Sequence, residues 1–160
     1  MSKKITVSDT NAKQKCIEYL TTLGFENLNT AKRDEHCDIT GYKNEEKYHF
    51  EIKYSSKAVG ERFFGTVMLT ELWAAVHNKA NYRFIVCRGN SENIADWFFK
   101  VYEVDEFIQF CTLTTPIFHY HLHFDENQNE ISPKHKATTI KASDSLVNEM
   151  WKTFQNWKKR

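Results

Sequence analysis

The alternation of apolar and polar positions outlines this chain as helix, hairpin and strand before any chemistry is considered. Ala12, Cys16, Ile17, Tyr19, Leu20 and Leu23 recur at helical spacing. Ser8 or Asp9 can cap the first turn, and Gly24 suits the left-handed residue after the last. The spacing predicts a first helix. Phe25 to Leu28 is a short apolar-polar stretch, and the charged run Lys32-Arg33-Asp34-Glu35 leads into the extended segment Cys37-Asp38-Ile39-Thr40. After the polar turn Asn44-Glu45-Glu46-Lys47 the period becomes two over Tyr48-His49-Phe50-Glu51-Ile52-Lys53-Tyr54, which predicts a strand. If Gly41 to Lys47 form a hairpin connection, this strand pairs with the segment around Asp38.

The polar stretch Ser55 to Gly65, with two glycines, reads as a loop. Leu69, Leu72, Trp73 and Val76 predict a core-facing helix over Val67 to Asn78, capped by Thr66 or Thr70, followed by a buried strand at Tyr82 to Cys87. Helix followed by strand implies a crossover. A further strand is expected at Trp97 to Val104 and a short helix at Asp105 to Phe110, with Pro116 as the next boundary. Ile117 to Phe124 alternates, Phe118, Tyr120, Leu122 and Phe124 on one face and His119, His121 and His123 on the other. Beyond a turn at 125–130, a last strand is expected at Ala137 to Lys141. A helix capped by Ser143 or Asp144 then carries Leu146, Val147, Met150, Trp151, Phe154 and Trp157. No repeat or linker interrupts residues 1–160, so a single domain is expected.

Composition narrows the classes. Lys and Arg number 22 against 21 Asp and Glu, a formal charge of +1, so any nucleic-acid contact must come from a local patch. The 4 cysteines are scattered without zinc-site or redox spacing and read as reduced thiols. No apolar run has the length of a signal or membrane span, which makes a soluble cytoplasmic protein the expectation.

The chemistry concentrates on one strand. Alternation puts Glu51 and Lys53 on one face and Phe50 and Ile52 on the other, and hairpin pairing would bring Asp38 alongside. An acid, a spacer and a lysine on a strand is by itself a common tripeptide, usually a solvated face with a cross-strand ion pair. Asp38, the preceding helix and the following helix and strand add weight to it. His119, His121 and His123 could converge on a metal, but polar residues facing solvent on an edge strand are the commoner explanation. Lys57, Arg62, Lys134, Lys136 and Lys141 are candidate phosphate contacts, each more commonly just a solvated charge, and Glu71 and His77 fall on the helix after the motif, where either could line the cleft and a surface role is the commoner expectation.

With helix, Asp38, Glu51-Ile52-Lys53, helix and strand in this order, the first ninety or so residues resemble the PD-(D/E)xK, restriction endonuclease-like nuclease superfamily. Phe63 to Phe110 shows a looser similarity to the domain of unknown function at the C-terminus of NO VEIN-type proteins. Cys37 stands where the motif's name has proline. The resemblance implies an α/β fold whose restriction endonuclease-like core is a central mixed sheet flanked by helices. Asp38 and Glu51 would then bind Mg2+ or Mn2+ with help from the Ile52 carbonyl, and Lys53 would position or activate the attacking water. A depressed Lys53 pKa would let it accept a proton. Relatives often add a side chain from the first helix, which aligns with Gln14 and, one turn on, Glu18. Lys57 and Arg62 would contact nucleic acid. The implied function is a metal-dependent DNA endonuclease, acting as a homodimer or with a separate recognition subunit. The alternative is a catalytically inactive nuclease-fold protein that binds nucleic acid or a protein partner.

Overall fold

The computed structural model describes residues 9–56, 61–114 and 117–132. In chain order these form α1 (Asp9–Thr22), β1 (Glu26–Thr30), β2 (Ile39–Lys43), β3 (Glu46–Ser55), β4 (Phe63–Val67) and α2 (Leu69–His77). There follow β5 (Tyr82–Arg88), β6 (Phe98–Glu103), α3 (Val104–Phe107), β7 (Cys111–Thr114) and β8 (Ile117–Leu122). The fold is α/β, a central mixed sheet flanked by helices, as expected. Among the described residues no helix is long and apolar enough to cross a membrane.

The central sheet runs β1-β2-β3-β5-β6. Its first three strands are antiparallel, β3 and β5 are parallel, and β6 returns antiparallel to β5. Asn44 and Glu45 close the β2–β3 hairpin with φ of 53° and 68°, the left-handed pair that a two-residue turn needs to match the twist of its strands. That turn sets the register Ile39 opposite Phe50, which delivers Asp38 to the middle of β3. The parallel partner β5 lies on the other side of β3, reached by way of β4 and α2, so β3 is an interior strand.

Both faces of β3 are covered. On one, Ala12, Cys16 and Leu20 of α1, spaced four apart, pack on Ile39, Phe50, Ile85 and Cys87. The helix ends at Gly24, whose φ of 81° turns the chain back so that the Phe25 N–H reaches the Leu20 carbonyl at 3.2 Å. On the other face Tyr82, Phe84 and Val86 of β5 meet Ala74 and Ala75 of α2, Phe107 of α3, and Phe63, Tyr120 and Leu122 of a second sheet, β4-β8-β7. At the end of β5, Gly89 leaves room for the Trp97 indole, which a Cβ would meet at 2.2 Å.

Several expectations change. Residues 63–65, read as the end of a loop, belong to β4, and α2 begins at Leu69, two residues after the expected start. The histidine-bearing β8 is the middle strand of the second sheet, not an edge strand. His121 is half-buried, its ring 4.9 Å from that of Phe64. Trp73, expected in the core, is 63% exposed, its ring 4.2 Å from that of His77 and tilted by 44°. The expected strand at 137–141, the helix at 143–157, Lys57, Lys134, Lys136, Lys141 and the His119 side chain lie outside the described residues.

Candidate active site

Asp38 sits one residue before the β2 ladder begins. Its main chain is tied on both sides, the N–H to the Phe50 carbonyl at 2.9 Å and the carbonyl to the Ala31 N–H at 3.0 Å. Because β2 stops pairing at Ile39, the Ile52 N–H has no strand carbonyl to reach on that side. The Asp38 carboxylate substitutes: Oδ2 accepts from Ile52 N–H at 2.9 Å. A strand residue sends its C=O out on the same side as its N–H, so the Ile52 carbonyl faces the same edge. The second oxygen, Oδ1, is held at 2.6 Å by Lys13 Nζ, from the α1 residue next to buried Ala12. Asp38, Lys13 and Ile52, with Ala12 and Tyr54, line an open-mouthed cavity of about 260 Å³.

Glu51 and Lys53 occupy the opposite face of β3, in register with Phe84 and Val86. They are not a solvated pair. Glu51 is 5% and Lys53 7% exposed, because α2 and the second sheet close over them. Lys53 Nζ donates to Glu51 Oε1 at 2.8 Å and to Glu71 Oε2 at 2.7 Å. Glu71 also accepts the Met68 N–H at 3.0 Å, stabilising the first turn of α2. One lysine thus joins two acids brought by a strand and a helix.

The electrostatics follow from burial. Desolvation pushes the Glu51 carboxyl up to about 8, opposed by the Lys53 charge and assisted by Glu71 and Asp38. Burial alone would lower the Lys53 ammonium, but Glu51 and Glu71, by charge and by hydrogen bond, raise it above its ordinary value. Lys53 is therefore a firmly protonated cation. The expectation of a depressed, proton-accepting Lys53 is corrected, because that requires burial without anionic partners.

The structure brings Asp38, Ile52, Glu51 and Lys53 to one short length of β3, Asp38 at its edge and Glu51 and Lys53 on one face. Gln14 is exposed on α1 and Glu18 is paired with Lys15 at 2.9 Å. The α1 residue that reaches Asp38 is instead Lys13. Arg62 is exposed just ahead of β4. Glu71, for which a surface role is the commoner expectation and a place at the cleft the other, is half-buried and joins Glu51 and Lys53, whereas His77 is exposed and its Nδ1 lies 2.9 Å from the Trp73 carbonyl oxygen. Helix phase carried a signal for Lys13, which flanks the Ala12-Cys16-Leu20 stripe. Glu71 is marked by its place three residues into α2, where a carboxylate can close the first turn.

Among the described residues no group of three or more His, Cys, Asp or Glu side chains is arranged to hold a metal ion alone. Asp38 and the Ile52 main-chain carbonyl, at the strand edge beside the cavity, are hard-oxygen donors of the kind magnesium uses with water and substrate oxygens completing the shell, whereas Glu51 lies on the covered face of β3. The field of Asp38 adds to that of Glu71 in disfavouring a negative charge on Glu51. Of the expected donors, Asp38 and the Ile52 carbonyl suit such an ion by chemistry and position.

No family model matches the sequence, and no curated protein matches it. Among solved structures the chain is similar to Hjc, a Holliday junction resolvase from the archaeal hyperthermophile Archaeoglobus fulgidus. The likeness has 14% identity and a TM-score of 0.45 over 76% of this chain and 90% of that one, too distant to bear on chemistry.

Proposed function

We propose that this chain is a metal-dependent nuclease of the PD-(D/E)xK, restriction endonuclease-like type that hydrolyses phosphodiester bonds in DNA. The observation that carries the reading is the 2.9 Å hydrogen bond from Ile52 N–H to Asp38, which places one acid against the main chain of the Glu51-x-Lys53 tripeptide. Asp38, Glu51 and the Ile52 carbonyl would hold Mg2+ or Mn2+. When bound, such an ion acts as a Lewis acid and lowers the pKa of its water. Lys53, kept protonated by Glu51 and Glu71, orients an anionic phosphate or a water by donating hydrogen bonds and does not serve as the base. Arg62, and Lys57 on the segment preceding it, would contact the phosphate backbone. The protein would act in the cytoplasm, as a homodimer or beside a separate recognition subunit.

A second reading has its own support. Asp38 already carries Lys13 and Glu51 already carries Lys53, so the acids are neutralised without any metal, as suits an inactive nuclease-fold protein that binds nucleic acid or a protein. Purified protein, incubated with Mg2+ or Mn2+ and duplex, single-stranded and branched DNA and RNA, separates the two. Cleavage that disappears in both Asp38→Ala and Glu51→Ala supports the nuclease. Cleavage undiminished in both variants removes the site assignment, and no cleavage of any substrate with retained nucleic-acid binding favours the second reading.

A further inference from the structure

Two lysines meet the acids of this site, and their settings differ. Lys53 is 9% exposed at its side chain and is clamped between Glu51 and Glu71, so leaving would strand the buried Glu51 and the half-buried Glu71 without their cation. Lys13 has one acid partner, is 32% exposed, and lines the cavity whose wall includes Asp38 and the edge of Ile52. Its flexible stem can swing into water at little cost, since an ion pair open to solvent is weakly held. The two Asp38 oxygens also differ. Oδ2 is committed to the Ile52 N–H, which the strand cannot move away, whereas Oδ1 is held by Lys13. A cation arriving through the cavity thus finds Oδ1 guarded by a group that can leave.

We propose that Lys13 is the resident counter-ion of Asp38, and that a divalent cation loads by displacing its ammonium from Oδ1. This rests on the reading of Asp38 as a metal ligand. Lys13 keeps the carboxylate charge-balanced and in position while the ion is absent, and sets a threshold for metal binding because the two cations compete for one oxygen. No covalent step is involved. Removing the competitor strengthens metal binding, the opposite of what loss of an ordinary supporting contact would do.

The test is a Mn2+ titration of the full chain, following free Mn2+ by electron paramagnetic resonance, which needs no substrate and no turnover. Lys13→Ala is expected to bind Mn2+ about two- to fivefold more tightly than wild type, the upper part of the range for a partly exposed ion pair. Lys13→Arg, which keeps the charge, is expected to stay at the wild-type affinity, and Asp38→Asn to lose the site. Lys13→Met keeps the apolar stem and decides the question if the alanine variant melts early. Unchanged or weaker binding in the lysine variants, with the site still lost in Asp38→Asn, overturns the exchange and leaves Asp38 as a metal ligand. Equal binding by wild type and Asp38→Asn overturns both.

Discussion

Asp38 and Ile52 are fourteen positions apart in sequence and are joined by a hydrogen bond of 2.9 Å, from the Ile52 N–H to Asp38 Oδ2. The bond gives Asp38 a structural task in addition to the proposed chemical one, and the two can be separated. Asp38→Ala leaves the Ile52 N–H without its acceptor and is expected to lose about 1–3 kcal/mol of stability. Asp38→Asn keeps an oxygen for that N–H and should lose less, while under the proposed function both variants are expected to lack metal-dependent cleavage. Urea denaturation beside a cleavage assay checks this; equal destabilisation by the two variants would show that the hydrogen bond contributes little.

The Glu51 carboxyl makes a pH-dependent prediction. Its folded-state pKa is raised from 4.5 to about 8, so the folded protein retains a proton that the unfolded chain has released. The contribution of this group to stability is fully present below its unfolded pKa and is lost as pH rises through the folded value. The difference between wild type and Glu51→Gln, which has no proton to lose, should grow in favour of the variant by a few kcal/mol in order of magnitude between about pH 5 and about pH 9. Thermal melts of the metal-free proteins across that range measure it, and parallel stability curves would contradict it.

Glu71 holds Lys53 and closes the first turn of α2 at once. Truncation to alanine is expected to cost about 2–4 kcal/mol, because it removes one of two carboxylates from a buried ammonium and frees the Met68 N–H. Glu71→Gln keeps an acceptor for both donors and should recover part of the loss. Chemical denaturation of the three proteins gives the ranking; equal loss in both variants would mean that charge, and not hydrogen bonding, is what Glu71 supplies.

The thiols should be quiet in the folded protein. Cys16 and Cys87 are buried with their sulfurs 3.7 Å apart, and burial, with Glu35 and Glu51 nearby, pushes the Cys37 thiol up to about 12. At about pH 8 these three are expected to react with a thiol-specific reagent many times more slowly than a free cysteine. After denaturation all 4 cysteines should titrate promptly. Rapid labelling of Cys37 in the native state, located by peptide mass mapping, would contradict this.

Local pattern carried some parts of this structure and not others. The stripe Ala12, Cys16 and Leu20 and the alternation through β3 were legible because each depends only on nearby residues and a single period. The setting of Glu51 and Lys53 was not. Their polarity suggested a face toward water, and only the covering of that face by α2 and the second sheet turns them into a buried ion cluster. Strand β4 was hidden because Phe63-Phe64-Gly65-Thr66-Val67 is short and carries a glycine, and it is stabilised by pairing with the distant β8. Lys13 and Glu71 look like ordinary helix-surface charges until their helices are packed on the sheet. Trp73 erred the other way, an apolar residue at a core-like spacing that points outward.

The parallel pairing of β3 with β5 has a consequence for the order in which the site comes into being. The β2–β3 hairpin closes through a two-residue turn, a process of microseconds, so Asp38 meets the backbone of Ile52 while the chain is still largely open. Register with β5 instead requires closure of the long connection through β4 and α2, and only then are Glu51 and Lys53 taken out of water. The loop lengths predict that the acids are gathered first and desolvated later. Divalent ions present during refolding would encounter a solvated, adaptable pair of carboxylates, whereas ions added afterwards would meet the finished, guarded one.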